Sequence, residues 1–221
     1  MILQNKHLEK ALNQLESAYD QVPGDDHEYE DHSIACAIVE RALADALRTK
    51  PDLLHFVDET DIADLERQLK AQVGRLLFVR AQLLGELGHS DLAYQSLRLS
   101  AQAFRDCLGY RFNDDDRYVA NHLHQLLRHP LSPRSFRAHE VGSAYRQLFK
   151  FYVHEEIFDR AEDMLFHALD LLDNPRDLID EGLHFYDDLS GRSTHELQRR
   201  GLPRHEVKAS RRELESRTPA G

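Results

Sequence analysis

The sequence predicts an all-α protein built from stacked antiparallel helical hairpins, and two observations carry this prediction. Apolar residues recur three, four and seven positions apart along most of the chain, which is the spacing of one helix face. The sustained alternation that marks strands is missing from the sequence, and 10 glycines and 7 prolines punctuate the helical patterns. At 221 residues the chain holds one substantial core or two small domains.

The clearest hairpin covers residues 76–104. Each of its two helices carries an apolar stripe, formed by Leu76, Leu77, Val79, Leu83, Leu84 and Leu87 and then by Ala93, Leu97, Ala101, Phe104 and Leu108. Gly88 can adopt the left-handed conformation that ends a helix, and Ser90 can cap the next helix. A helix end followed two residues later by a helix start predicts an antiparallel pair.

A second hairpin is predicted over residues 144–172, and its small residues repeat those of the first. The matching positions are Ala81, Leu84, Gly88, Ala93 and Leu97 in the first copy and Phe149, Tyr152, Ala161, Leu165 and Ala168 in the second. Ala93 and Ala161 lie 68 residues apart, which is two periods of about 34. The pattern resembles the tetratricopeptide (TPR) repeat over about a third of the chain. Glu156 stands where the second turn would have glycine.

Caps and breakers predict the helices of the first half of the chain. An amphipathic helix is expected over residues 4–19, followed by a polar loop over 25–32. Asp31 or Ser33 would cap the next helix. A long helix would then begin at Thr60 or Asp61 and continue to the end of the first hairpin's first helix.

The C-terminal third is punctuated by its own signals. Asn174 and Pro175 would open a helix that Gly191 ends, and residues 193–196 form a capping box for a short helix. We therefore predict an all-helical domain over residues 1–191. Residues 192–221 would form a charge-rich, partly mobile helical arm.

The charge of the chain is unevenly distributed. The arm contains eight basic and four acidic residues, a net +4, within a chain of net charge −11, which leaves −15 for residues 1–191. An acidic body repels nucleic acid at long range. In the arm, acidic and basic residues alternate at helical pair spacing, which is typical of a solvated helix. The charge pattern therefore disfavours nucleic acid as a partner.

Histidines suggest a metal site, but their spacing does not support one. The best group joins two histidines of the 14 to three carboxylates in a short polar stretch: His27, Glu28, Glu30, Asp31 and His32. Of these, His27, Asp31 and His32 are the weak metal candidates. His122 and His124 are two residues apart on a predicted helix, so their side chains point about 200° apart and cannot share an ion. The sequence also has no H-E-x-x-H motif, nucleophile elbow or phosphate loop. We predict no metal and no cofactor, and an enzymatic activity has no support.

The compartment is predicted from two cysteines and from the N-terminus. Cys36 and Cys107 each lie in an apolar helical pattern without a C-x-x-C motif, which favours buried free thiols in a reducing cytoplasm. The N-terminal stretch lacks the apolar core of a signal peptide, and no later segment resembles a membrane span. The expected location is cytoplasmic.

The TPR resemblance implies a bacterial-type cytosolic module that binds a protein or peptide, and a homodimer is left open. In such hairpins the first helix of each pair lines a concave face. By that resemblance, candidate groove residues are Arg75, Phe78 and Gln82 on one wall and Ser143, Arg146 and Lys150 on the other. Their cations would suit an acidic peptide or a terminal carboxylate, and Phe78 would offer an apolar contact. The competing hypothesis is that these cations pair with neighbouring carboxylates. The alternative functions are a helical metal-dependent enzyme and a nucleic-acid-associated regulator that uses the arm.

Overall fold

The computed structural model describes residues 28–108 and 116–217, and the regular structure in both ranges is helical. The all-α prediction is therefore confirmed for this part of the chain. The predicted helix over residues 4–19 lies outside the described residues. The helices are α1 (Glu28–Leu47), a 3₁₀ helix (Pro51–Phe56), α2 (Glu59–Ala63), α3 (Arg67–Glu86), α4 (Ser90–Cys107), α5 (Asp116–Leu127), α6 (Ser132–Ser135), α7 (Ala138–His154), α8 (Phe158–Leu172), α9 (Arg176–Ser190), α10 (Thr194–Arg199) and α11 (Arg204–Ser216).

The described chain divides into two compact units. Unit 1 contains residues 28–108 and 116–135, and unit 2 contains residues 136–217. The predicted boundary at residue 191 does not coincide with this division, because α10 and α11 belong to the same unit as the second hairpin.

Unit 1 is built on the first predicted hairpin, α3 and α4. Gly88 has a φ of +78°, and the amide of His89 donates to the carbonyl of Leu84 at 2.8 Å, which closes the turn. The hairpin prediction is confirmed. The capping prediction for Ser90 is wrong, because Ser90 is already the first helical residue and His89 occupies the cap position without a side-chain bond.

A buried arginine ties α1 to this hairpin. Arg80 of α3 is 3% exposed, and its guanidinium donates to Glu40 of α1 at 2.9 Å and to Ser96 of α4 at 2.8 Å. Buried charge is tolerated only when it is paired, and both partners here lie on different helices. Around this network the three helices share an apolar core that includes Val39, Leu43, Leu76 and Leu83.

The long helix predicted from Asp61 onward is wrong, because the chain is interrupted between α2 and α3. Asp58, rather than Thr60 or Asp61, caps α2: its carboxylate accepts from the amide of Thr60 at 2.7 Å. At the other end of α2, Lys70 donates to the carbonyl of Ala63 at 2.7 Å. The Asp58 bond satisfies an amide of the first turn, and the Lys70 bond satisfies a carbonyl that a continuous helix would have paired internally.

The polar loop predicted over residues 25–32 is wrong in its second half, because α1 already includes Glu28 to His32. Asp31 and Ser33 therefore lie within the helix and do not cap it. Glutamate is a good helix former, so a charged segment can continue a helix beyond its apolar stripe.

Unit 2 is built on the second predicted hairpin, α7 and α8. Glu156 has a φ of +56°, and the amide of Ile157 donates to the carbonyl of Tyr152 at 3.0 Å, the same bond that closes the first turn. The predicted end of α9 at Gly191 and the Ser193 bond of the predicted capping box are confirmed, whereas Asn174 does not cap α9, because Pro175 itself occupies the cap position without a side-chain bond. Pro175 precedes α9, Gly191 ends it, and the Ser193 hydroxyl accepts from the amide of Glu196 at 3.2 Å.

Candidate functional site

In unit 1, a series of ring contacts leads from the buried core to an arginine at the surface. Phe104 of α4 is fully buried, and the ring centroid of His122 of α5 lies 5.6 Å from it. Tyr118, one turn earlier on α5, lies 4.1 Å from His122. The guanidinium carbon of Arg75 on α3 lies 5.8 Å from the centre of the Tyr118 ring. Three helices therefore place Arg75 and Tyr118 together, and we call the four residues the Arg75 stack.

The hydrogen bonds of the stack fix which groups are donors. His122 donates from Nδ1 to the carbonyl oxygen of Tyr118 at 2.8 Å, because a carbonyl can only accept, and this sets the tautomer of the ring. Burial lowers the pKa of His122, and the nearby charge of Arg75 lowers it further. The imidazole is therefore neutral at physiological pH.

The outer end of the stack, formed by Tyr118 and Arg75, reaches the surface of unit 1. Burial raises the pKa of the Tyr118 phenol, and the opposing effect of Arg75 does not cancel this, so the hydroxyl keeps its proton. The side chain of Arg75 also hydrogen-bonds to that hydroxyl. Tyr118 is 39% exposed and Arg75 is half-buried. A fixed cation and a phenol O–H at one point suit an anionic group.

The other two residues predicted for this wall lie next to the stack in sequence but have different environments. Phe78 is 9% exposed, and its ring meets His129 edge to face at a centroid distance of 5.7 Å. Gln82 is half-buried one turn later. Phe78 is therefore used in packing within unit 1 and does not offer the open apolar contact that the sequence predicts.

The wall predicted from the second hairpin lies in unit 2, and its cations form ion pairs with acidic residues of α9. Arg146 of α7 lies 2.7 Å from Asp177 and 2.7 Å from Glu181, and Lys150 lies 3.0 Å from Glu181. Hydrogen bonding to Glu181 raises the pKa of Arg146. Burial alone would raise the pKa of Glu181, but the bonds from Arg146 and Lys150 outweigh burial and lower it.

This second wall carries two positive and two negative charges. Arg146 and Lys150 pair with neighbouring carboxylates, as the competing hypothesis expects. Ser143 is half-buried one turn before Arg146. The cluster has no net charge with which to attract an acidic ligand.

Arginines of the predicted C-terminal arm are used inside unit 2. The carboxylate of Glu156 binds Arg192 at 3.1 Å and also pairs with Arg200. Arg211 lies 3.0 Å from Asp187, and Arg217 lies 2.5 Å from Asp170. These ion pairs hold the arm against the hairpin and reduce the charge it could offer to nucleic acid.

The described residues contain no group of three or more histidine, cysteine, aspartate or glutamate side chains that could hold a metal ion. Of the weak metal candidates, His27 and the side chain of Asp31 lie outside what the structure describes, and His32 lies on α1. Cys36 and Cys107 are buried free thiols, and burial is the main cause that raises the pKa of each to about 11. Neither thiol is therefore a ready nucleophile.

Sequence reasoning missed Tyr118 and His122 as site residues. They lie on α5, outside the two predicted hairpins, and only the packing of three helices brings them to Arg75. The one available signal was their spacing of four residues, which places two rings on the same helix face.

Residues 8–218 match the model of a family of unknown function, DUF6483, and the chain belongs to that family. No curated protein and no solved structure matches the chain significantly. Among the helices that the structure describes, none combines the length and the apolar character needed to cross a membrane.

Proposed function

We propose that this DUF6483 member is a non-catalytic, TPR-like protein-interaction module that binds an acidic peptide segment at the Arg75 stack. The observation that carries the proposal is the outer end of the stack, where the Arg75 guanidinium lies 5.8 Å from the centre of the Tyr118 ring. A cytoplasmic location belongs to the same proposal, because the buried free thiols Cys36 and Cys107 suit a reducing compartment.

The chemistry of the stack favours a carboxylate. Arginine presents a planar fork of N–H donors that matches a carboxylate, and such charge-assisted bonds are about twice as strong as neutral ones. The Tyr118 hydroxyl adds a further donor beside it. The Tyr118 ring packs on His122, which in turn packs on Phe104. Because these contacts already restrict Tyr118, little side-chain entropy remains to be lost on binding.

Unit 2 is the weaker candidate for the binding unit, because its predicted cations already pair with carboxylates. In unit 2, Asp177 and Glu181 already supply carboxylates to Arg146 and Lys150. An acidic peptide would have to displace these carboxylates and leave them next to its own charge. At the Arg75 stack, the two rings Tyr118 and His122 are neutral, so neither ring would repel a peptide carboxylate.

The test is selection of peptides from a random display library on the purified protein. Peptides enriched on the wild-type chain are measured by fluorescence anisotropy against the wild type and against Arg75→Gln and Tyr118→Phe. We expect affinity to fall about tenfold or more for Arg75→Gln, because one charge-assisted bond is lost. Tyr118→Phe keeps the ring and removes the hydroxyl, so it should cost less.

The matched control is Arg128→Gln, which removes one exposed arginine of the same unit outside the stack. Its affinity should equal that of the wild type, and all variants should keep the wild-type circular dichroism. Enriched peptides that bind Arg75→Gln and the wild type equally would contradict the proposal. So would an enriched set that is basic instead of acidic.

A further inference from the structure

Helix α11 lies across unit 2 with few apolar contacts of its own. Among its thirteen described residues, the buried side chains are Val207 and Leu214, which are seven positions apart and so share one face. Leu214 packs over Gly182 of α9. A β-carbon at Gly182 would lie 2.7 Å from Leu214 and 2.8 Å from Leu165 of α8. The absence of a side chain at Gly182 therefore makes the depression that receives Leu214.

Polar bonds at the middle of α11 join it to the same two helices. The Tyr186 hydroxyl of α9 donates to Glu162 of α8 at 2.7 Å. Ser210 of α11 hydrogen-bonds to Glu162 as well. The charge of Glu206 of α11 acts on Glu162, and the charge of Glu213 acts on Tyr186.

Ion pairs at the rim add to the hydrogen bonds that Arg204 donates to Ser190 and Thr194, and solvent reaches these ion pairs. Arg211 lies 3.0 Å from Asp187, which is 59% exposed, and Arg217 lies 2.5 Å from Asp170, which is 62% exposed. Arg217 also lies 5.0 Å from the centre of the Phe166 ring. Each exposed ion pair contributes only modestly, so α11 depends on the two pairs together, and both weaken with added salt.

These contacts differ from those inside the α7–α8 hairpin, where each helix buries several large side chains. Segments with few buried apolar contacts and many exposed polar ones open before the rest of a domain. When α11 opens, it uncovers Leu165, Gly182 and Tyr186, a mostly apolar surface with Asp170 and Asp187 at its rim.

We propose that residues 204–217 form a detachable strap, and that the α8–α9 surface beneath it is a docking site for a basic amphipathic helix of a partner protein. The complementary helix carries two apolar residues seven positions apart, with arginines placed to meet Asp187 and Asp170. The strap has this pattern itself, so it acts as an internal competitor of the partner. The charge of the acidic rim argues for a basic partner helix over an acidic one.

The first part of the test measures opening in the full-length chain by hydrogen–deuterium exchange. The wild type is compared with the double variant Arg211→Gln/Arg217→Gln, which keeps both apolar anchors and so keeps the fold. The control is Arg212→Gln, an exposed arginine of the same helix. We expect exchange in residues 204–217 to rise about tenfold or more in the double variant and to stay unchanged in the control, with α7 and α8 protected in all three.

The second part tests docking with a defined probe, a fluorescein-labelled synthetic peptide of residues 203–217. It is titrated against the wild type, the double variant and Leu214→Asp, with a scrambled peptide of the same composition as control. The peptide should bind the two strap variants at least about tenfold more tightly than the wild type, because their docking surface is uncovered more often. Binding should weaken between about 50 mM and about 500 mM salt.

Two results would overturn the proposal. One is equal exchange of the strap and of α9 in the double variant, which would make α11 an inseparable part of the unit. The other is that the scrambled peptide binds the double variant as well as the native peptide does. If Leu214→Asp fails to fold, the exchange measurement and the peptide titration can both be evaluated with the double variant alone.

Discussion

The pKa of Glu162 in unit 2 is subject to effects of opposite direction. Burial raises its pKa, the bonds from Tyr186 and Ser210 lower it, and the charges of Glu206 and Asp163 raise it again, so the pKa is raised overall. A raised pKa in the folded state means that folding favours the protonated carboxyl. Its stabilising contribution is therefore full below the unfolded pKa of about 4.3 and is lost as the pH rises through the folded value.

We predict that Glu162→Gln raises the melting temperature at about pH 7.5, because glutamine still accepts from Tyr186 but carries no charge. The gain should shrink between about pH 7.5 and about pH 4.5, because the wild-type carboxyl takes up its proton as the pH falls toward the unfolded value. Thermal unfolding followed by circular dichroism at both pH values measures this. The idea fails if the variant and the wild type show the same pH dependence.

Gly182 is a second residue whose effect is local and measurable. Alanine there would place a β-carbon 2.7 Å from Leu214 and 2.8 Å from Leu165, both fully buried. We predict that Gly182→Ala destabilises unit 2 by about 1–3 kcal/mol in chemical denaturation, through overpacking. The matched control is Gly85→Ala in α3, where the nearest atom would be Leu131 at an ordinary 3.5 Å.

The control should be neutral or stabilising by up to about 1 kcal/mol, since alanine is the better helix former. If both glycine variants behave alike, helix propensity decides the outcome and the close packing under α11 does not.

At the scale of single elements, local signals predict the hairpins well. The turn at Gly88 depends on a glycine that can take a positive φ, and this is visible in the sequence. The turn at Glu156 has the same geometry without glycine. Its carboxylate binds Arg192 and Arg200, which are 36 and 44 residues away in sequence. Such partners cannot be identified from a local pattern.

The break between α2 and α3 is a feature that the apolar pattern of the sequence does not predict. The apolar period continues through it, because Leu65 and Leu69 both pack against the core of unit 1. Periodicity alone therefore predicts one long helix. The bonds of Asp58 and Lys70 to backbone groups decide where the helices begin and end.

The helix crossings of both hairpins depend on small residues, and Ala93 and Ala161 are fully buried as predicted. We expect Ala93→Leu to destabilise unit 1 by about 1–3 kcal/mol, because the added carbons would force α3 and α4 apart. The midpoint of chemical denaturation measures the change. Ala37→Leu, on the exposed face of α1, is the control and should change the midpoint little. An unchanged midpoint for Ala93→Leu would remove close hairpin packing from the account.

At the scale of the whole molecule, the sequence identifies the fold class but only part of the candidate site. Arg75 was predicted from its place on the first helix of a hairpin, and the structure puts it at the surface end of a stack. Tyr118 and His122 could not be predicted, because their position depends on how α3, α4 and α5 pack together. Arg146 was predicted as a binding residue, yet it forms ion pairs with Asp177 and Glu181 of a later helix.

The same packing bears on the role of metal in the fold. His122 is used in the Arg75 stack and His129 packs against Phe78, so both rings already have structural contacts. The described residues offer no convergent group of three ligands, and folds that depend on a structural metal need a closed site. We therefore predict that EDTA leaves the circular dichroism and the melting temperature of the full-length protein unchanged.

His27 and His32 supply the decisive comparison, because His27 lies beyond the described residues. If EDTA lowers the melting temperature of the wild type but not that of His27→Ala/His32→Ala, a metal is bound by the N-terminal stretch and the prediction is wrong. If EDTA has the same small effect on both proteins, helix packing alone maintains the fold. In that case added zinc should not raise the melting temperature of either protein, since a ligand that binds only the folded state would stabilise it.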